Sequence, residues 1–461
     1  MAVLTIKDML NIVAFSASLP LKARIRDAGA AANRTVLVIG AGVSGLAAGS
    51  LLRSYGYQVK VVEARERVGG RVWTDRSWAG APLDLGASWI HGIDDNPVAR
   101  LAEHLGIETV VYDVANPVDH AVYDALGARL SSMQVKRLTE LVEQATCLLG
   151  SASQNGNSLL SARDAIEHVV ASIDASSFER LAVLEILGRE LEDNFAADPQ
   201  SISAWGINEG KAFGGHEVVF PRGYMELAEM LAGGLDVQLG HRVTRIEYNT
   251  TGVRVYTSKG EFRGDVAIVT LPLGVLKEDL VMFSPALPSQ KKDAIHRLGM
   301  GTYNKVLLMF PEVFWGQASI VSHLHTRNGL WSNWYALNKY MKKPVLCALQ
   351  GGTPALLLEK MSDQDIREDA MAHLRMLFGS SIPSPIEIRV TRWNSDPFAR
   401  GSYSFPKVGA LQSDRFELAT PVHETLLFAG EATHADCSGT VHGALLSGWR
   451  EACRVLGKRM A

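Results

Sequence analysis

The residues of this 461-residue chain whose types and spacing could do chemistry gather first at 35–71. Gly40-x-Gly42-x-x-Gly45 lies between an apolar run, Thr35 to Ile39, and a helical pattern carrying Leu46, Ala47, Leu51 and Leu52. A second apolar run, Val59 to Val62, ends on Glu63. In such a βαβ unit the first glycine permits a tight turn. The second lets backbone approach a pyrophosphate, and the third lets helix and strand pack closely. The helix N-terminus adds free N–H groups and partial positive charge. Glu63 stands roughly 20 residues on, where a carboxylate takes ribose hydroxyls and repels a 2′-phosphate. Arg65, Arg67, Gly69, Gly70 and Arg71 add cations and flexible backbone beside the expected pyrophosphate. Near the other end, Phe428-Ala429-Gly430-Glu431-Ala432 and then Thr440-Val441-His442-Gly443-Ala444 read as a second strand, turn and helix N-terminus. Taken alone, Lys305 in the apolar run 304–310 is either an edge lysine reaching solvent or a buried amine able to move protons. Trp393 and Tyr403 read as core aromatics or as walls of a site. His91, in Gly86-Ala87-Ser88-Trp89-Ile90-His91-Gly92, is either a structural loop histidine or a group that can share a proton near neutral pH. Cys147, Cys347, Cys437 and Cys453 lie far apart with no Cys/His metal spacing, so isolated thiols and no metal are expected.

The elements that must position these residues follow from pattern. Length allows two or three domains and a large core. At 47% hydrophobic and 21% charged the composition is that of a globular protein. A net charge of −3 gives no case for nucleic acid or an anionic membrane. Residues 1–33 are a lead-in. Their apolar stretch, Met9 to Leu21, is too short to span a bilayer. It reads either as a docked helix or as a targeting remnant with Ala28-Gly29-Ala30 as a small-residue cleavage site. Apolar spacing predicts helices over 97–106, 131–149, 161–171 and 177–192, with a loop at 151–158. Alternating strands follow over 236–272. Strands at 304–310, 345–352 and 386–393, a helix near 363–377, and a final strand and helix from 425 complete the reading. The expected fold is α/β: a Rossmann-like dinucleotide domain interleaved with a substrate domain of mixed sheet and helices. The expected boundaries are 34–97, 216–290 and 396–461 for the first, and 98–215 and 291–395 for the second. Glu190, Glu192, Asp193 and Glu209 read as a solvated acidic face, or as a cluster at the mouth of a tunnel.

With these motifs the sequence resembles the flavin-dependent amine oxidases, and within them the polyamine oxidase branch. The likeness runs over 34–456, through R-x-G-G-R at 67–71, PRGY at 221–224, TLPLGVL at 270–276, FSPALP at 283–288, LGMGTYNKV at 298–306 and TVHGALLSG at 440–448. It implies FAD, held without a covalent bond because Ser402 stands where the mitochondrial monoamine oxidases carry the tethering cysteine. As cofactor residues it implies Gly40, Gly42, Gly45, Glu63, Arg65, Gly70, Arg71, Ser88, Trp89, Val243, Trp393, Gly430, Glu431, Thr440 and Val441. As catalytic residues it implies Lys305, which holds a water on flavin N5, with Trp393, Tyr403, His91 and Thr440. Tyr403 is one wall of the amine cage, and the opposite wall falls on Thr440 rather than a second ring. The implied reaction is oxidative deamination: hydride passes from the α-carbon to N5, the imine is hydrolysed, and O₂ reoxidises the flavin to give hydrogen peroxide. The substrate is a small amine, with no nucleic-acid partner and no transmembrane segment. The segment 86–92 lacks the arginine that L-amino-acid oxidases use on a carboxylate. Histone demethylases share several motifs but carry a long helical tower that is missing here. An oxidase of another amine or of an amino acid, and a non-catalytic flavoprotein, are the alternatives. A cytoplasmic protein is expected, or an exported one if residues 1–30 are a targeting remnant.

Overall fold

The computed structural model describes residues 3–5, 7–10, 34–78, 80–113, 120–152, 159–324 and 329–460. Most of the lead-in lies outside them, including the apolar stretch after Leu10 and the cleavage-like Ala28-Gly29-Ala30. So do 153–158 of the expected loop. The part of the lead-in that is described docks on the body. Val3–Leu4 pairs in parallel with Arg459–Met460. Thr5 Oγ1 and Asp8 cap the short turn that follows, and Met9 and Leu10 are buried in the main core.

Five parallel strands form the central sheet, in the order Asp236–Gln238, Gln58–Val62, Thr35–Ile39, Val266–Val269, Leu426–Phe428. The last three of these run apolar because both sheet faces are covered. One face packs the helices Val43–Ser54 and Val441–Val455 around Val36, Val38, Leu46, Ile268 and Trp449. The other packs Leu37, Ile39, Val269 and Phe428 against an antiparallel meander, Val243–Tyr248, Val253–Thr257 and Gly260–Gly264, the half-buried strands that alternation predicts. The strands expected over 236–272 divide between two sheets: Gly260–Gly264 closes the meander and Val266–Val269 joins the central sheet, parted at Asp265.

A six-stranded sheet forms the other layer, in the order Glu387–Val390, Tyr303–Met309, Val345–Gly351, Asn333–Ala336, Ile320–His323, His120–Tyr123. It is antiparallel except where the last two strands pair. Helix Asp363–Phe378 covers the face carrying Val306 and Leu308. The helices Ser132–Ala152, Ala162–Ser172 and Ser177–Phe195 fall where the periodicity predicts and share a core of Leu141, Ile166, Val183 and Leu187. Capping boxes at Ser161–Asp164 and Ser176–Glu179 start the second and third of them. All four cysteines are free thiols. Among the described residues no cluster of three or more metal-type ligands occurs, and no helix is long and apolar enough to cross a membrane.

Candidate active site

The phosphate turn is built by steric necessity. Gly40 has φ +109°, and a Cβ there would lie 2.6 Å from Thr270 Oγ1. At Gly45 a Cβ would lie 2.0 Å from the Gly40 carbonyl oxygen. A Cβ on Gly42 or on Gly430 would meet nothing within 4 Å, so both face open space at the end of the sheet. Gly70, φ +59°, brings its backbone against Gly42, and Gly69 bridges to Gly42. The helices 43–54 and 441–455 cross at Ser44 and Gly448, where a Cβ would meet the Ser44 carbonyl at 2.1 Å. The start of the first helix therefore lies against the middle of the second, and Thr440 caps the second by accepting from Gly443 N at 3.0 Å.

Charged groups expected at this crevice are already partnered. Glu63 accepts from Ala41 N at 2.7 Å and from Arg65 N at 2.8 Å, which orients its carboxylate and leaves lone pairs over for ribose hydroxyls. Arg65 forms a bidentate pair with Asp396, and Arg67 lies over Trp73 and donates to Gly70 O. Arg71 donates to Glu431 and to Ser402 O, each at 2.9 Å. Burial would raise the Glu431 carboxyl, but Arg71, a hydrogen bond from Ser404 and nearby Arg415 together hold it below its usual range. Val243 is buried just past Gly240 and His241, whose amides bond Arg65 O and Glu63 O. Val441 is half-buried at the start of its helix.

Lys305 is the clearest outcome of strand order. Its strand is interior, between 345–351 and 387–390, so the edge-lysine alternative fails. The even residues of 303–309 face the 363–378 helix, and Tyr303, Lys305 and Leu307 share the other face. Lys305 is 7% exposed. It donates to Asp84 O at 2.7 Å and to Ser88 Oγ, and lies 5.8 Å from the Trp89 ring centre. Burial lowers its pKa, opposed by the neighbouring Cys347 and Asp84. Asp84 is itself raised, to about 6, by burial, against a hydrogen bond from Thr74 and the charge of Lys305. Trp393 is fixed from three sides. Its backbone N–H and Thr391 bond Asn304 Oδ1, its indole donates to Leu85 O at 3.1 Å, and it meets Trp73 edge-on.

Tyr403 lies across from Gly301 in a two-strand ladder and donates its hydroxyl to Asp193 O. Tyr303 sits 5.9 Å from it, ring centre to ring centre, and donates to Asp193 Oδ1 at 2.6 Å. Burial raises the Asp193 carboxyl to about 6, against the Tyr303 hydrogen bond. A second tyrosine therefore stands beside Tyr403. The only hint of it in sequence is that residue 303 shares a strand face with 305. Thr440, expected opposite, spends its hydroxyl on Cys437 O and Gly443 N, and Gly439 is the residue against Tyr403. His91 is exposed and pairs with Glu217 at 2.7 Å, because strands 89–90 and 218–219 place the two opposite each other. Glu209 is neither a solvated face nor a tunnel mouth: it is buried against Arg415.

The molecule thus combines a glycine turn at the carboxyl end of a parallel sheet with a buried lysine and a paired set of tyrosines. The match to known proteins agrees: residues 43–456 fit the flavin containing amine oxidoreductase family, and the chain belongs to it. Polyamine oxidase 4 of Oryza sativa subsp. japonica is 36% identical over 436 residues, 90% of this chain and 87% of that protein. Polyamine oxidase 2 of Arabidopsis thaliana is 35% identical over 435 residues, covering 91% and 88%. Lysine-specific histone demethylase 1 homolog 1 of Oryza sativa subsp. japonica is 34% identical over 444 residues, but only 52% of its length is spanned. In fold, the chain is similar to wild-type putrescine oxidase bound to putrescine. The TM-score is 0.76 at 22% identity, covering 92% of this chain and 99% of that one. The protein is thus a flavin-containing amine oxidase and its cofactor is FAD. The open space at Gly42, the N-cap of the 43–54 helix, and at Gly430 beside it fits a dinucleotide pyrophosphate.

Proposed function

We propose that this chain oxidises polyamines. The observation that carries the reading is Asp193, whose carboxyl meets Tyr303 while its carbonyl meets Tyr403, on the wall that also bears Lys305. A buried carboxylate beside two rings suits a cation that carries further amines along its chain. Relatives named polyamine oxidases, spanned over most of their length, support the same reading. The proposed division gives 34–97, 216–290 and 396–461 to FAD and 98–215 and 291–395 to substrate, with 1–33 as lead-in.

FAD, when bound, accepts two electrons from the amine and passes them to O₂, giving hydrogen peroxide. Lys305 uses two of its donors on Asp84 O and Ser88, which leaves the third for a water or substrate. With its pKa lowered by burial, its Nζ can hold and return a proton. Tyr403 and Tyr303 orient the amine, Trp393 and Trp89 exclude water around it, and His91, paired with Glu217, stands at the exposed rim. Glu63, Arg71, Gly430, Glu431, Thr440 and Val441 form the cofactor grip. We further propose that FAD is not tethered: Ser402 has no thiol, and its hydroxyl is engaged with Tyr303 N at 2.7 Å and Tyr303 O at 3.0 Å.

A peroxide-coupled panel of spermine, spermidine, putrescine, a monoamine and an L-amino acid tests the substrate class. Turnover confined to the polyamines is the expected outcome. A preference for the monoamine or the amino acid would overturn it. Denaturation should release FAD into solution, and flavin that stays with the polypeptide would contradict the untethered site.

A further inference from the structure

The sequence marks Glu209 only as one acid among four, and the oxidase reading gives it no task. In the structure it begins a buried line of alternating charge. Arg415, 1% exposed in its side chain, donates to both Glu209 oxygens at 2.7 Å. The same guanidinium donates through Nη1 to Ser404 Oγ at 2.9 Å and to Ala432 O at 3.2 Å. Ser404 Oγ passes the line on by donating to Glu431 Oε2 at 2.6 Å, and Glu431 Oε1 takes Arg71. Two further bonds reach the segment before the 441–455 helix: Ser438 Oγ donates to Glu209 at 3.1 Å, and Gly439 N to Glu431 at 2.9 Å.

We propose that Glu209 and Arg415 are positioning residues for the cofactor, acting through Ser404 on the Glu431–Arg71 pair and on the entry to the 441–455 helix. The inference rests on the reading that this turn and helix grip FAD. Taking an ion pair out of water is costly, and an apolar pair of similar volume is often as stable. A pair kept for stability alone is therefore replaceable. One kept for position is not, because the hydroxyl of Ser404 has one donor to give and needs Arg415 to aim it at Glu431. Glu209 also ties the segment after the Ala204–Asn208 turn, and Lys211 N bonds Asp436 O from that same segment. The link joins the part of the chain between the helical region and strand Val218–Val219 to the flavin side.

The test compares Arg415→Met, Glu209→Met, the double variant and Ser404→Ala. FAD dissociation constants are measured by flavin fluorescence on apoprotein made from each holoenzyme, alongside denaturant unfolding of the same apoproteins, so that cofactor affinity does not enter the midpoint. Each single charge deletion should lower the unfolding midpoint and weaken FAD at least about tenfold, because it strands a buried charge. The double variant should regain the midpoint but keep the weakened FAD binding. Ser404→Ala, with the ion pair intact, should weaken FAD binding without a matching loss of stability. If a single variant fails to fold, the double variant and Ser404→Ala decide. Full recovery of FAD affinity in the double variant, or wild-type affinity in Ser404→Ala, would overturn the proposal. Wild-type apoprotein that cannot take up FAD at all would instead remove the cofactor reading beneath it.

Discussion

The crevice at Gly40–Gly45 and the face at Lys305 position their groups by different means. Around the crevice the work is done by backbone: glycines without Cβ atoms, a helix N-terminus, and amides turned toward Glu63. Around Lys305 it is done by side chains delivered from distant segments. Asp84 and Ser88 come from one segment, Asp193 from a helix end, Trp393 from a loop, Tyr403 from the short strand after it, and Tyr303 from the lysine's own strand. A backbone site tolerates no added atoms but is indifferent to most side-chain chemistry. A side-chain site folds without its key residue and fails only in its reaction.

Four variants sharpen or break that contrast. The largest effect is expected from Gly45→Val, whose Cβ would lie 2.0 Å from a backbone oxygen that cannot move aside. Purified protein should carry almost no FAD, measured by the ratio of flavin to protein absorbance. A full complement would show that the turn is not a backbone site. Next, Lys305→Met should keep its FAD while the stopped-flow rate of flavin reduction falls by about 100-fold or more. Unchanged rates would remove Lys305 from the mechanism. Third, Tyr403→Ala should lower kcat/KM by about tenfold or more through lost orientation, and Tyr403→Phe, which keeps the ring, by clearly less. Equal losses would mean that the hydroxyl bond to Asp193 O, rather than the ring, matters.

The smallest effect concerns stability. Burial lowers the pKa of Lys305 in the folded state, so the unfolded chain binds the extra proton. The lysine's contribution should therefore rise with pH between that lowered value and the ordinary lysine value of about 10.4. Lys305→Met should be more stable than wild type at neutral pH, and the gap should narrow as pH rises through that window. A gap independent of pH, from denaturant midpoints of the holoenzymes, would mean that the lysine is not buried as a strained amine.

The same contrast explains what could be read from sequence. The turn Gly40–Gly45, the acid Glu63 and the final strand and helix are local, so spacing alone finds them. The helices at 132–152, 162–172 and 177–195 were equally legible from apolar period and capping residues. Lys305 was ambiguous because one strand cannot tell whether it lies at an edge; its two neighbours come from residues 345–351 and 387–390. Asp193 and Glu209 looked alike in composition, yet one meets two tyrosines and the other a buried arginine. Arg415 carried no signal, since its partners lie at 209, 404 and 432. Arg65 gave no sign in sequence of its bidentate partner Asp396, more than three hundred residues away.

One measurement tests the central claim most directly: anaerobic mixing of the purified holoenzyme with spermidine while the visible flavin band is followed. Rapid bleaching in the wild type, with full flavin but slow bleaching in Lys305→Met, is the predicted result. Flavin that stays oxidised in the wild type, or bleaches equally fast in both, would contradict it.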